Sequence, residues 1–166
     1  LPADIQGQWD ICVITDATGA INEPGAGAET DNTTCATPRQ NVTLPSGPDL
    51  FTTSVVPSTL TAVFGTTISV SYTTANQGDQ PATGNWADRV YLSRDTVVSA
   101  DDLAVTFVDV AGPVAVNGTY TKTLSLTLPL SADYQDGTYF VLIKADASEA
   151  LQERLENNNV SASAAM

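Results

Sequence analysis

The sequence predicts an all-β protein: a two-sheet antiparallel sandwich preceded by a separate β-hairpin. Three observations carry this expectation. Helical periodicity is nearly absent from the 166 residues, and short alternating polar and apolar runs dominate instead. Turn signals rich in Gly, Pro, Asn and Asp separate those runs at the spacing of a sandwich. One stretch of the chain, finally, is written twice.

The duplicated stretch comes first in chain order. "GQWDICVITDA" (Gly7–Ala17) aligns with "GTYFVLIKADA" (Gly137–Ala147): a Gly, an aromatic residue two positions on, an apolar run, then Asp. Asp16 to Glu23 is seven residues, as is Asp146 to Glu153. The first copy then carries three extra residues before Glu29, which matches Glu156, and Asp31-Asn32 falls on Asn158-Asn159. The offset is 130 residues before the insertion and 127 after it. A self-match at fixed offset marks an array, and one of this length marks tandem domains rather than a solenoid. Residues 1–44 therefore read as the closing hairpin of one repeat. "LPSGP" (Leu44–Pro48) marks a linker over 45–47, and 48–166 reads as a complete repeat.

Within the complete repeat, strands are expected near 50–56, 60–63, 67–75, 86–93, 103–109, 119–128 and 138–145, with a last one near 158–163. In "TISVSYTT", Ile68, Val70 and Tyr72 alternate with Ser69, Ser71 and Thr73. In "YTKTLSLTLPL", Leu124, Leu126 and Leu128 alternate with Thr123, Ser125 and Thr127, the pattern of half-buried antiparallel strands. "YFVLI" (Tyr139–Ile143) is apolar on both faces and reads as a covered central strand. Asn117-Gly118 is a tight-turn signal, and "LQERL" suggests a helical turn in the last hairpin. Seven or eight short strands in some 115 residues point to a sandwich of immunoglobulin type, with Trp86 as a core indole.

Composition narrows function. A net charge of −13 with six basic residues repels nucleic acid and anionic membrane and attracts cations. No apolar run approaches a membrane span, and Leu1 is not a start Met, so a signal peptide has been removed or the chain is part of a longer protein. The absence of His excludes Ser-His-Asp and Cys-His catalysis and imidazole zinc sites. Cys12 and Cys35 fall on Leu142 and Ala162 in the internal alignment, so they are expected to face each other across the hairpin. A disulfide closing that loop would stabilise by roughly 3 kcal/mol through loop entropy and implies an oxidising compartment. Two unrelated buried thiols are the alternative.

"PDLFTTSVVPSTLTAVFGTTISVSYTTANQGDQPATGNWADRVYLSRD", "GTYFVLIKAD" and the closing "E-x-x-E-N-N-N" together resemble the CARDB family, the cell-adhesion-related domain of bacteria and archaea. The resemblance covers residues 48 to about 163, and its closing part recurs at 7–33. It implies an immunoglobulin-like sandwich, often in tandem within large secreted or surface proteins, with no catalytic residues. "PGAGA" and the Cys pair depart from it.

Candidate sites follow. Asp95, Asp101 and Asp102 share the loop "SRDTVVSADD" and could supply oxygens to Ca²⁺, although the EF-hand pattern is absent and a solvated acidic turn competes with that reading. The repeated set Asp146, Glu153, Glu156 and Asn158 is expected to shape the hairpin loop through side-chain bonds to its own backbone, with a metal site as the alternative. Acid pairs for glycoside cleavage would need an aromatic-lined cleft, which 7% aromatic content does not suggest. Sequons occur at Asn32, Asn41, Asn117 and Asn159. The expectation is a non-catalytic extracellular structural or adhesion repeat. It would assemble with copies of itself or adjacent repeats through Trp9, Ile11, Val13 and Ile14, whose apolar surface an isolated hairpin cannot bury. A Ca²⁺-dependent carbohydrate- or protein-binding module is the alternative.

Overall fold

The computed structural model describes residues 5–22, 24, 30–131 and 134–166. It divides into two compact units, Leu1–Leu44 and Pro45–Met166. Among the described residues there is no helix, and none long and apolar enough to cross a membrane.

The first unit is a hairpin in two registers. β1 (Gly7–Trp9) pairs antiparallel with β4 (Gln40–Val42), and β2 (Cys12–Ile14) pairs antiparallel with β3 (Thr33–Cys35). The exposed Asp10 and Arg39 side chains, bonded at 2.8 and 2.9 Å, mark the break between the two ladders.

The second unit is a sandwich of seven strands: β5 (Leu50–Pro57), β6 (Thr67–Asn76), β7 (Asn85–Ser93), β8 (Leu103–Ala111), β9 (Thr119–Thr127), β10 (Phe140–Lys144) and β11 (Val160–Ala162). One sheet runs β5-β6-β9 and the other β11-β10-β7-β8, all antiparallel. Alternation decides which residues enter the space between the sheets. β6 sends in Ile68, Val70 and Tyr72; β7 sends in Trp86, Val90 and Leu92; β10 adds Val141 and Ile143. Burying each such side chain contributes about 1.5–3 kcal/mol. A second apolar cluster joins Leu50, Ala82, Trp86, Val110, Val114 and Ala145.

Two sequence expectations are corrected. Residues 60–63 form no strand; Leu60 and Val63 are exposed. The chain turns there instead, with Thr66 N–H donating to the Val63 carbonyl and Gly65 at φ +84°. "LQERL" forms no helical turn, because its amide groups are bonded elsewhere. Leu151 N–H donates to Asp146, Glu153 N–H to Glu156 and Arg154 N–H to the Pro48 carbonyl. The segment ahead of β5 belongs to the sandwich: Ser46 Oγ and Gly47 N–H both donate to Asp79 at 2.9 Å. Those donors hold the Asp79 carboxyl below the ordinary range. A side chain at Gly78 would collide with the backbone of Gly47–Asp49, so this close approach requires glycine.

Candidate functional site

Among the described residues, the two copies of the duplicated motif share one ladder and one turn. Cys12 pairs with Cys35 as Leu142 pairs with Ala162. Thr15 N–H donates to the Asn32 carbonyl at 2.9 Å, and Ala145 N–H donates to the Asn159 carbonyl at 2.9 Å. Asp16 (φ +44°) accepts from the amides of Ala20 and Ile21, and Asp146 (φ +38°) accepts from those of Ala150 and Leu151. Asp tolerates this left-handed backbone because its short carboxylate bonds locally. Asp146 therefore shapes the hairpin loop as its residue type suggested. Glu23 and Glu29, the first-copy partners of Glu153 and Glu156, lie outside the described residues.

The surroundings of the two copies differ. In the second, Val141, Leu142 and Ile143 are fully buried and Tyr139 nearly so. In the first, Trp9 is 45% exposed, Ile11 59%, Val13 64%, Ile14 58% and Ile21 65%. The four residues expected to mediate assembly thus sit together in one hairpin and face solvent. Its strands are tied by a Cys12–Cys35 disulfide.

Beneath the second copy lies a buried polar network that sequence reasoning missed. Asp88 occupies an inward slot of β7 between Trp86 and Val90 and is fully buried. Tyr72 Oη donates to it at 2.7 Å, Tyr120 Oη at 2.8 Å and Asp146 N–H at 3.1 Å. Burial raises the Asp88 carboxyl above its ordinary range, against the pull of these donors. Burial and the Asp88 charge raise both tyrosines in turn. The signal was available: Asp88 shares the alternation of Trp86, Val90 and Leu92.

The loop between the turn at Asp146 and β11 is also internal. Glu153 is 4% exposed and Asn159 1%. Glu153 Oε1 accepts from Leu50 N–H, Glu156 Oε1 accepts from Glu153 N–H at 2.9 Å, and Asn158 Nδ2 donates to Asp49 at 2.7 Å. Burial pushes the Glu153 carboxyl up to about 8, and the Glu156 and Asp146 carboxylates add to the rise. The neighbouring Asn159 amide acts against it, at a geometry that leaves Asn159 Nδ2 and Glu153 Oε2 without a hydrogen bond. A side chain buried this far is not an accessible glycan acceptor, which removes the Asn159 sequon.

The structure does not gather Asp95, Asp101 and Asp102 into a metal site. Among the described residues, no group of three or more His, Cys, Asp or Glu is placed to hold an ion. The local turn occupies these carboxylates: Asp95 accepts from Val97 N–H at 2.8 Å, Asp102 from Ser99 N–H at 2.7 Å, and Asp101 from Ser99 Oγ. The Ser99 hydroxyl holds Asp101 below the ordinary carboxylate range. A cleft of about 440 Å³ is lined by Leu60, Val63, Phe64, Leu128, Tyr139 and other residues, with Asp136 its one carboxylate among the described residues.

Fold and site together define an immunoglobulin-like β-sandwich whose buried polar groups organise the closing loop. The chain belongs to the CARDB family, whose model matches residues 47–163. The crystal structure of a CARDB domain from Pyrococcus furiosus, in complex with di-metal ions, is similar at 18% identity and TM-score 0.52, covering 72% of this chain and 93% of that one. The solution structure of a Pyrococcus furiosus CARDB domain is similar at 18% identity and TM-score 0.51, covering 71% and 93%. Likeness at this identity shows the fold alone. A β-glucosidase of Erythrobacter marinus matches at 12% identity and TM-score 0.45 over 15% of its own length, too weakly to bear on activity. No curated protein sequence matches.

Proposed function

We propose that this chain is a structural repeat of an extracellular surface protein or filament, and that residues 1–44 dock onto the sandwich of another repeat. That repeat belongs to the same polypeptide or to a second copy. One observation carries the reading: the closing hairpin that is buried at 137–163 recurs at 7–36 with the same ladder and turn but with its apolar side chains in solvent. Burying several of those side chains contributes about 1.5–3 kcal/mol each, and strand pairing at an edge gives direction and register. The disulfide supports an oxidising location.

Sedimentation velocity at rising concentration tests this reading on the whole chain and on a Trp9→Ser, Ile11→Ser, Val13→Ser variant. The whole chain is expected to associate and the variant to stay monomeric. Equal association by both would move the interface elsewhere. A wild-type chain that stays monomeric throughout would make the hairpin a passive duplicate.

A further inference from the structure

The loop of residues 153–159 contains polar atoms that the fold buries and leaves unpartnered. Glu153 Oε2, Glu156 Oε2, Asn158 Oδ1 and both side-chain polar atoms of Asn159 make no hydrogen bond. Four of these five are oxygens, and two belong to carboxylates. Glu153 and Glu156 each spend Oε1 on a backbone amide and keep the other oxygen free. Asn158 likewise spends its amino group on Asp49 and keeps its carbonyl oxygen. Burying such groups without partners is costly, most of all for a carboxylate.

No basic side chain supplies the missing charge. Arg154, within the same loop, reaches Asp79 at 3.5 Å, and Lys144 reaches Glu149 at 3.8 Å. Arg89 stacks on Phe107, Arg94 bonds Tyr139, Lys122 bonds the Asp109 carbonyl and Arg39 pairs with Asp10. All six basic residues of the chain are thereby engaged away from Glu153 and Glu156.

The geometry points to a Ca²⁺ site in the closing loop, built from Glu153, Glu156 and Asn159 with Asn158 beside them. The donor set is all oxygen, which suits a hard cation, and two carboxylates match its charge. With only two carboxylates and the rest amide oxygens, it falls outside any cluster of three acids. Glu153 faces both Glu156 and Asn159, so one ion there would relieve the buried repulsion between the two acids. Binding would fasten the loop to β5 through Leu50 and Asp49. This inference is independent of the assembly reading.

The test is calorimetric titration of CaCl₂ into the EDTA-treated, desalted whole chain, with thermal unfolding in Ca²⁺, Mg²⁺ and EDTA. Wild type is expected to bind Ca²⁺ and melt higher in it. Glu153→Gln and Glu156→Gln, which keep side-chain shape, should each bind roughly tenfold or more weakly at one site. Asp101→Asn with Asp102→Asn should bind as wild type does. Asn159→Asp adds a carboxylate, so it should tighten binding while lowering the melting temperature in EDTA. The readout is the loss of one site. Three results would each overturn the proposal. One is Ca²⁺ binding unchanged by both Gln variants. Another is a Mg²⁺ effect equal to that of Ca²⁺ in every variant, which marks screening of the net charge. The last is a wild type silent to Ca²⁺; Gln variants that then melt higher in EDTA would mark a buried acid pair sharing a proton.

Discussion

The described residues of 7–36 repeat the ladder and turn of 137–163 in a different environment. Both have an antiparallel ladder, a left-handed Asp and a carboxylate capping two amides in the following turn. The second copy lies against β7, with its side chains in the core. The first has two ladders of its own, its apolar residues in solvent and a disulfide across the pair that is Leu142–Ala162 in the second. The local hairpin is therefore specified by turn chemistry and strand propensity. What the sandwich adds is desolvation, and where it is missing a covalent bond stands across the same rung.

That comparison can be broken by substitution at matched positions. A Trp9→Phe background leaves Trp86, buried in the sandwich, as the fluorescent reporter of guanidinium unfolding. The largest effect is expected at the shared rung. Leu142→Ala should cost the sandwich about 2–5 kcal/mol, whereas reducing Cys12–Cys35 should shift the same transition by under about 0.5 kcal/mol. Equal effects would mean that the two units unfold as one.

Next comes the turn. Asp146→Ala removes a fully buried carboxylate from two part-buried amides and should cost about 1.5–3 kcal/mol. Asp16→Ala frees two amides that water can reach, and should leave the sandwich transition within about 0.5 kcal/mol of wild type. A small effect at Asp146 would show that the loop, not its carboxylate, sets the turn.

The smallest expected effect sharpens what lies beneath the second copy alone. Tyr72→Phe removes one of the three donors to Asp88 and should cost about 1.5–3 kcal/mol near neutral pH. Asp88 is faced by Tyr72 from β6, by Tyr120 from β9 and by Asp146 after β10. Its folded carboxyl is raised, by burial first. Between the ordinary carboxylate value and that raised value, the native state holds a proton the unfolded state has released. This contribution to stability therefore falls as pH rises through the window. Losing the Tyr72 donor raises the carboxyl further, so the variant's deficit should grow from pH 4 to pH 7. A deficit independent of pH would mean that Asp88 stays ionised throughout.

Much of this was legible in the sequence because period-two alternation survives in β6, β7 and β9, and because two copies could be laid against each other. The alignment placed Cys12 opposite Cys35 without reference to coordinates. It could not show that one copy is covered and the other bare, since both read as equally apolar. The run Leu60–Val63 looked like a strand because apolar residues there satisfy strand propensity, yet no neighbouring ladder accepts them. Glu153 and Asn159 escaped notice as buried groups because their loop has no period, so nothing in the pattern separates inward from outward. For Asp95, Asp101 and Asp102 the sequence left a Ca²⁺ site and an acidic turn as rival readings, because closeness in sequence does not say what the carboxylates accept from; Asp101 and Asp102 both accept from Ser99, and Asp95 from Val97 N–H.

The cross-strand disulfide has a mechanical consequence. Pull on the first hairpin from its two outer ends, and the Gly7–Trp9 and Gln40–Val42 ladder opens one rung at a time, as a zipper does. The opening stops at Cys12–Cys35. Those residues are 23 apart in sequence, so roughly 75 Å of contour, at about 3.4 Å per residue, is withheld from the stretched chain. Tension then passes through the sulfur bridge and bypasses Asp16 and its turn, which remain folded under a force that has already separated the strands outside them.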